Sequence, residues 1–152
     1  MITLDIVCVG NLKEKFSQDA EKEYLKRLSA FAKVNIIEIK EQNKLENINL
    51  IKEKEGEDIV KKLGNFNVLL DVQGESLSSE EFAKFTGDTS MKSSKITFVI
   101  GGSYGVSDVV KKACQQKISF SKMTFPHNLF RVMLLEQIYR AFTILAGKTY
   151  HK

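Results

Sequence analysis

Three stretches of this 152-residue chain combine residue types that can do chemistry. In the first, Gly101-Gly102-Ser103-Tyr104-Gly105, backbone N–H groups can approach a ligand closely because glycine carries no Cβ. It is neither the dinucleotide fingerprint GxGxxG nor the phosphate-cradling GxxxxGK[ST], so by itself it reads equally as a tight strand-to-helix turn. The second is SFSKMTFPH, residues 119–127. Phe120, Met123 and Phe125 would line a slot for a flat heterocycle, while backbone groups of Ser121, Lys122, Met123 and Thr124 read its polar edge. The opposing reading puts the three apolar side chains in the core and Lys122 in solvent. The third is the segment HNLFRVMLLEQIYRAFTILAG, where Arg131, Glu136, Gln137 and Arg140 interrupt an apolar surface. Glu136 and Arg140 have the i, i+4 order of an intrahelical ion pair. An arginine on such a helix also suits a subunit-interface site that holds an anionic substrate.

The two histidines differ in setting. His127 sits at a helix start, where the dipole favours neutral imidazole and the role is capping or packing. His151, in the terminal Tyr150-His151-Lys152, belongs either to a frayed tail or to a segment that closes over bound substrate. Cys8 and Cys114 are too few and too far apart for a disulfide framework, and no closely spaced metal-ligand set accompanies them. The expectation is no metal.

The elements that must position these residues follow from hydrophobic periodicity. ITLDIVCV (2–9) predicts a strand buried on both faces, and apolar residues at three- or four-residue spacing predict a helix from about Lys15 to Phe31. A strand over 34–40 and a polar connection precede a helix over 49–63, and a third strand covers 66–72. Ser78 and Glu81 form a capping box before a short helix to about Phe85. A fourth strand over 95–100 runs into the glycine loop, a helix covers 107–114, and a short fifth strand covers 118–120. Pro126 sits in the first turn of a last helix reaching about Leu145. This alternation predicts one α/β domain, residues 1–152, around a largely parallel sheet, with ligands at the carboxyl ends of the strands. The apolar circumference of the last helix predicts burial on more than one side, partly against a second subunit.

Composition sets the class. With 43% hydrophobic and 28% charged residues the chain has the make-up of a soluble globular protein. No apolar run approaches the roughly 20 residues needed to span a bilayer, and Asp5 stands where a signal peptide would be basic. A cytoplasmic protein without membrane partners is expected. The net charge of +4 is unevenly distributed. Lys111 to Lys152 hold eight Lys or Arg against Glu136 alone, a balance of +7, whereas the first 110 residues balance at −3. A basic C-terminal third suggests a polyanionic partner such as nucleic acid.

Taken together, GNLKEKF (10–16), YLKRL (24–28), KEKEGE (52–57), LDVQGESLSSEEFA (70–83), FVIGGSYG (98–105), ISFSKMTFPH (118–127) and RVMLLEQIYRAFTILAGKTYHK (131–152) make the chain resemble the RlmH, or YbeA-like, family of the SPOUT class of methyltransferases. The FPHxxxR, EQxYRA and terminal YHK patterns are the most specific. The resemblance implies a five-stranded α/β sheet with helices on both faces and a C-terminal trefoil knot, acting as a homodimer. It implies S-adenosylmethionine-dependent methylation of N3 of a pseudouridine in helix 69 of 23S rRNA, on the assembled ribosome. Carried over by position, the implied donor pocket is Leu70, Gly101 and the run Phe120, Ser121, Lys122, Met123, Thr124 and Phe125. Arg140, Tyr150 and His151 are implied on the substrate side, Arg140 stabilising the anionic base or its phosphate and His151 accepting the proton or orienting substrate. The competing function is a non-catalytic α/β module that binds RNA or a nucleotide, for which the basic patch and glycine loop would suffice.

Overall fold

The chain starts with β1 (Ile2–Val9), α1 (Lys15–Leu28) and β2 (Ala32–Ile39), followed by α2 (Ile48–Val60) and β3 (Asn67–Ser76). It continues through α3 (Ser79–Lys92), β4 (Lys95–Ile100), α4 (Asp108–Ala113), β5 (Gln116–Ser119) and α5 (His127–Leu145). The structure is a computed structural model that describes residues 1–44 and 47–152. Residues 45 and 46, part of the polar connection expected after the second strand, lie outside the described residues.

The five strands form one sheet in the order β2-β1-β4-β3-β5, with every pairing parallel. Alternate side chains of each strand enter two cores, as the period of two requires. Leu4, Ile6, Cys8, Ile96, Phe98 and Ile100 point to one face, against Leu28 of α1, Phe82 of α3 and Leu134, Leu135 and Ile138 of α5. Val7, Val9, Leu69 and Val99 point to the other, against Ile59 of α2 and Val110 of α4. The sheet is therefore covered on both sides, as its near-continuous apolar strands predict.

Several boundaries depart from the sequence expectation. The third strand does not stop at 72. Its register against β5 shifts between Leu70 and Glu75, and pairing then resumes through Glu75 and Ser76. Gly74 permits this, because a Cβ there would lie 2.7 Å from the backbone of Ile118. The capping box forms as expected, with Glu81 N donating to Ser78 Oγ at 3.1 Å and Ser78 N to Glu81 Oε1 at 2.9 Å. Its helix runs to Lys92 rather than Phe85. Thr86 and Thr89, weak helix formers, are buried in that extension, so tertiary packing overrides propensity. The first helix ends at Leu28, and Phe31 instead stacks on Phe142 of α5 with ring centroids 5.6 Å apart. The second strand begins at Ala32, the fifth at Gln116, and Pro126 is the extended N-cap of α5 rather than a residue of its first turn.

Helix α5 packs against α1 and α3 of its own chain. Those neighbours cover flanks of the helix within one chain, so its apolar circumference alone does not require a second subunit. Arg131 locks the arrangement. It is 3% exposed, and it donates to both oxygens of Glu21 on α1 (2.8 and 3.2 Å) and to Glu38 at the end of β2 (2.8 Å). This planar fork between two carboxylates is structural, which removes Arg131 from the candidates for substrate binding.

Candidate active site

Strands β3 and β4 are neighbours, but the chain leaves them toward opposite faces: α3 packs in one core and α4 in the other. Such divergence opens a crevice at the carboxyl ends of the strands. A cavity of about 440 Å³ lies there, within the range typical of small-molecule sites. Its walls are the end of β3, the β4–α4 glycine loop and the β5–α5 segment.

The glycine loop is shaped by local bonding. Gly105 N donates to Gly102 O at 3.0 Å, closing a four-residue turn, and Gly105 adopts φ +83°. A Cβ on Gly101 would fall 2.7 Å from Val106 Cγ1 and 3.1 Å from the Gly105 carbonyl carbon. The turn can fold back over the end of β4 only because that atom is missing. Below the loop, the buried Glu55 carboxylate of α2 accepts from Gln42 N at 3.0 Å. Burial pushes this carboxyl above the usual carboxylate range.

In the β5–α5 segment, Ser119 Oγ donates to Ser121 O (2.9 Å), and Met123 N donates to Ser121 Oγ (3.0 Å). Among the described residues, the amides of Lys122 and Thr124 have no intrachain acceptor. The apolar residues divide their roles. Phe120 packs edge-on to Phe82 (5.8 Å) and beside Phe130 (5.0 Å), so it serves core and cavity at once. Phe125 stacks on Phe130, while Met123 is 72% exposed at the rim. The slot and core readings of the sequence are therefore both realised, by different residues.

Of the donor-pocket positions expected from the sequence, Leu70, Gly101, Phe120, Ser121, Met123, Thr124 and Phe125 line this one cavity. Lys122 does not; its side chain is exposed and outside the lining. Lys52, Lys111 and His127, which the sequence did not place at this cavity, also line it, together with Asp71 at the strand end. Asp71 directly follows Leu70 in a segment whose position at a strand end was the available signal.

Arg140, Tyr150 and His151 come together, but elsewhere. Arg140 Nε donates to Glu136 Oε1 at 2.9 Å, realising the expected i, i+4 pair, and its guanidinium lies 4.9 Å from the Tyr150 ring centroid. Tyr150 Oη donates to Glu136 Oε1 at 3.4 Å, and burial pushes the phenol above its ordinary range. His151 is tied on both sides, Nδ1 to Arg140 Nη1 at 3.0 Å and Nε2 to Glu80 Oε1 at 2.7 Å. Arginine can only donate, so Nδ1 accepts and Nε2 carries the hydrogen. The contact from His151 holds the Glu80 carboxyl below its usual range. The tail is thus docked rather than frayed.

None of these three lines the strand-end cavity of its own chain. Along α5, Phe130 in the cavity wall and Arg140 are separated by roughly 15 Å of helix rise. Glu136 instead lines a second cavity of about 370 Å³, which shares Phe120 and Phe125 with the first. Among the described residues, no three His, Cys, Asp or Glu side chains converge as a metal site, and no helix is long and apolar enough to cross a membrane.

A family model described as "Predicted SPOUT methyltransferase" matches residues 2–151. Similar proteins include the ribosomal RNA large subunit methyltransferase H of Caldicellulosiruptor saccharolyticus, 48% identical over 98% of this chain and 99% of the relative. The protein of the same name from Clostridium botulinum strain Kyoto is 49% identical over 99% of this chain and 100% of the relative. Among solved structures, a probable methylase family protein from Haemophilus influenzae Rd KW20 superposes with a TM-score of 0.56 over 98% of this chain and 70% of that one. At 12% identity, that match speaks for the fold alone. The glycine-turn cavity at the ends of a parallel sheet and the end-to-end family match agree: the chain belongs to the SPOUT methyltransferase family.

Proposed function

We propose that residues 1–152 act as one S-adenosylmethionine-dependent methyltransferase unit on large-subunit ribosomal RNA, at N3 of a pseudouridine in helix 69, on the assembled ribosome. The observation that carries this reading is the cavity between Gly101 and the 120–125 segment, in a chain that is nearly half identical to proteins named as ribosomal RNA large subunit methyltransferases. Its volume suits a nucleoside-sized donor, its glycine turn admits one only where a Cβ is missing, and free amides at Lys122 and Thr124 offer donors to an adenine edge. A cytoplasmic setting and the trefoil knot of the family accompany this reading.

When bound, S-adenosylmethionine supplies an electrophilic methyl group on a sulfonium. The protein's part is positioning: Leu70, Gly101, Phe120, Ser121, Met123, Thr124 and Phe125 would hold the donor, and methyl transfer gains most from such positioning. An imide nitrogen is a poor nucleophile while protonated, so the acceptor side must favour its anion. Arg140 supplies the positive charge for that task, and Glu136 and His151 fix its orientation. His151 can accept a proton at Nδ1 only after releasing Arg140, so orienting is the role its bonds support.

Because the Arg140 cluster lies away from the donor cavity of its own chain, the working site is assembled in a homodimer, one copy presenting Arg140, Tyr150 and His151 to the partner's cavity. Coexpressed Arg140→Gln and Gly101→Ala chains test this. With S-adenosylmethionine held well below what the Gly101→Ala chain needs, each homodimer should show little activity, whereas random mixing should restore about a quarter of the wild-type sites, because half the dimers carry one intact composite site of two. No recovery in the mixture would place the complete site within a single chain.

A further inference from the structure

The rim of the donor cavity carries an exposed aromatic and two cations. Tyr104 stands at the tip of the Gly102–Gly105 turn and is 55% exposed, although it lines the cavity. A large aromatic in water at the corner of a rigid turn contributes little to folding, since its face is left uncovered. Lys52 of α2 and Lys111 of α4 border the same cavity, both only partly exposed. Among the described residues, neither ammonium pairs with a carboxylate. The donor has a single carboxylate, balanced by its own ammonium, and a sulfonium besides, so two further ammonium groups beside it exceed what it engages and serve another anion.

We infer that Tyr104, Lys52 and Lys111 form a nucleotide subsite at the cavity rim, where Tyr104 stacks on a base neighbouring the methylated one and the lysines neutralise the adjoining phosphates. This rests on the proposed RNA methyltransferase reading and deepens it by assigning the chain's own contact with RNA beside the target. The chemistry fits a single-stranded or splayed segment. An exposed aromatic face takes any base, and flanking lysines add salt-dependent, sequence-independent attraction. Tyr104 acts here as a positioning residue and takes no part in methyl transfer.

The test uses the full-length protein and ribosomes whose helix 69 is unmethylated. Tyr104→Ala should raise the KM for ribosomes about tenfold, as the loss of one base stack implies, with kcat within about twofold of wild type. Tyr104→Phe, which keeps the ring, should restore the wild-type KM. Lys52→Gln and Lys111→Gln should each lower the slope of log affinity against log salt by roughly one, the signature of one phosphate contact. Calorimetry of the same variants with S-adenosylmethionine should give wild-type affinity. A wild-type KM for Tyr104→Ala, or unchanged salt slopes for both lysine variants, would overturn the subsite. Loss of donor affinity in Tyr104→Ala would place the ring in the donor site instead and equally overturn it. If wild-type protein itself failed to methylate the ribosomes, the underlying activity would be at fault, so the two failures are separable.

Discussion

Gly101→Ala is expected to weaken S-adenosylmethionine binding at least tenfold while leaving the fold intact. The added methyl would sit 2.7 Å from Val106 Cγ1 and 3.1 to 3.2 Å from the Gly105 carbonyl, so the turn must move outward. Val106 is buried at the edge of the second core and has little room to yield. The 102–105 turn therefore shifts, which reshapes the wall of the cavity that it lines. Overpacking at such a site costs about 1–3 kcal/mol, and a misplacement confined to a loop falls mainly on ligand binding. Calorimetric titration with S-adenosylmethionine and S-adenosylhomocysteine measures the loss. Unfolding in urea serves as the control. Wild-type affinity in this variant would mean that the glycine turn does not contact the donor.

Arg131→Met is expected to lower stability by about 3 kcal/mol, which for a chain of this size shifts Tm by roughly 6–12 °C. The methionine fills most of the volume, but Glu21 loses both of its guanidinium bonds in a site where its own side chain is only 15% exposed. Glu38 suffers less, since it is 43% exposed and water replaces the bond. The neighbouring Cys8 thiol, pushed up to about 11 by burial, stays neutral and offers no compensation. Adding Glu21→Gln to Arg131→Met should recover part of the loss by removing the stranded charge. Donor affinity measured well below the midpoint should change little, because Arg131 ties α5 to α1 and β2 on the side of the sheet away from the glycine turn's own packing. A variant as stable as wild type would contradict the assigned structural role.

The two substitutions also mark how much of the molecule is legible in its residues. The parallel sheet is legible because ITLDIVCV and KITFVI are apolar at successive positions, which only a strand covered on both faces tolerates. The cavity is partly legible, because GGSYG directly follows such a strand and ligands gather at strand carboxyl ends. Lys52 and Lys111 are not. They come from α2 and α4, and periodicity carries no information about which helices flank a crevice. Arg131 and Arg140 illustrate the same limit more sharply. They lie nine residues apart on one helix with similar apolar neighbours, yet the first meets carboxylates from α1 and β2 and the second an intrahelical Glu136 and the docked tail. Only the long-range packing of α5 separates a structural arginine from a candidate for chemistry. The long reach of β3 and the extension of α3 were hidden for a related reason: Gly74 and the 86–89 stretch have poor local propensity, and contacts from β5 and α5 outweigh it.

The most direct measurement is mass spectrometry of helix 69 from unmethylated ribosomes incubated with the purified protein and isotopically labelled S-adenosylmethionine. The predicted result is a single labelled methyl on one pseudouridine, absent with the Arg140→Gln protein and with donor omitted. Labelled methyl elsewhere in the rRNA would keep the methyltransferase and contradict the target. No label on any rRNA, from a protein that still binds ribosomes, would contradict the activity and favour a non-catalytic RNA-binding module.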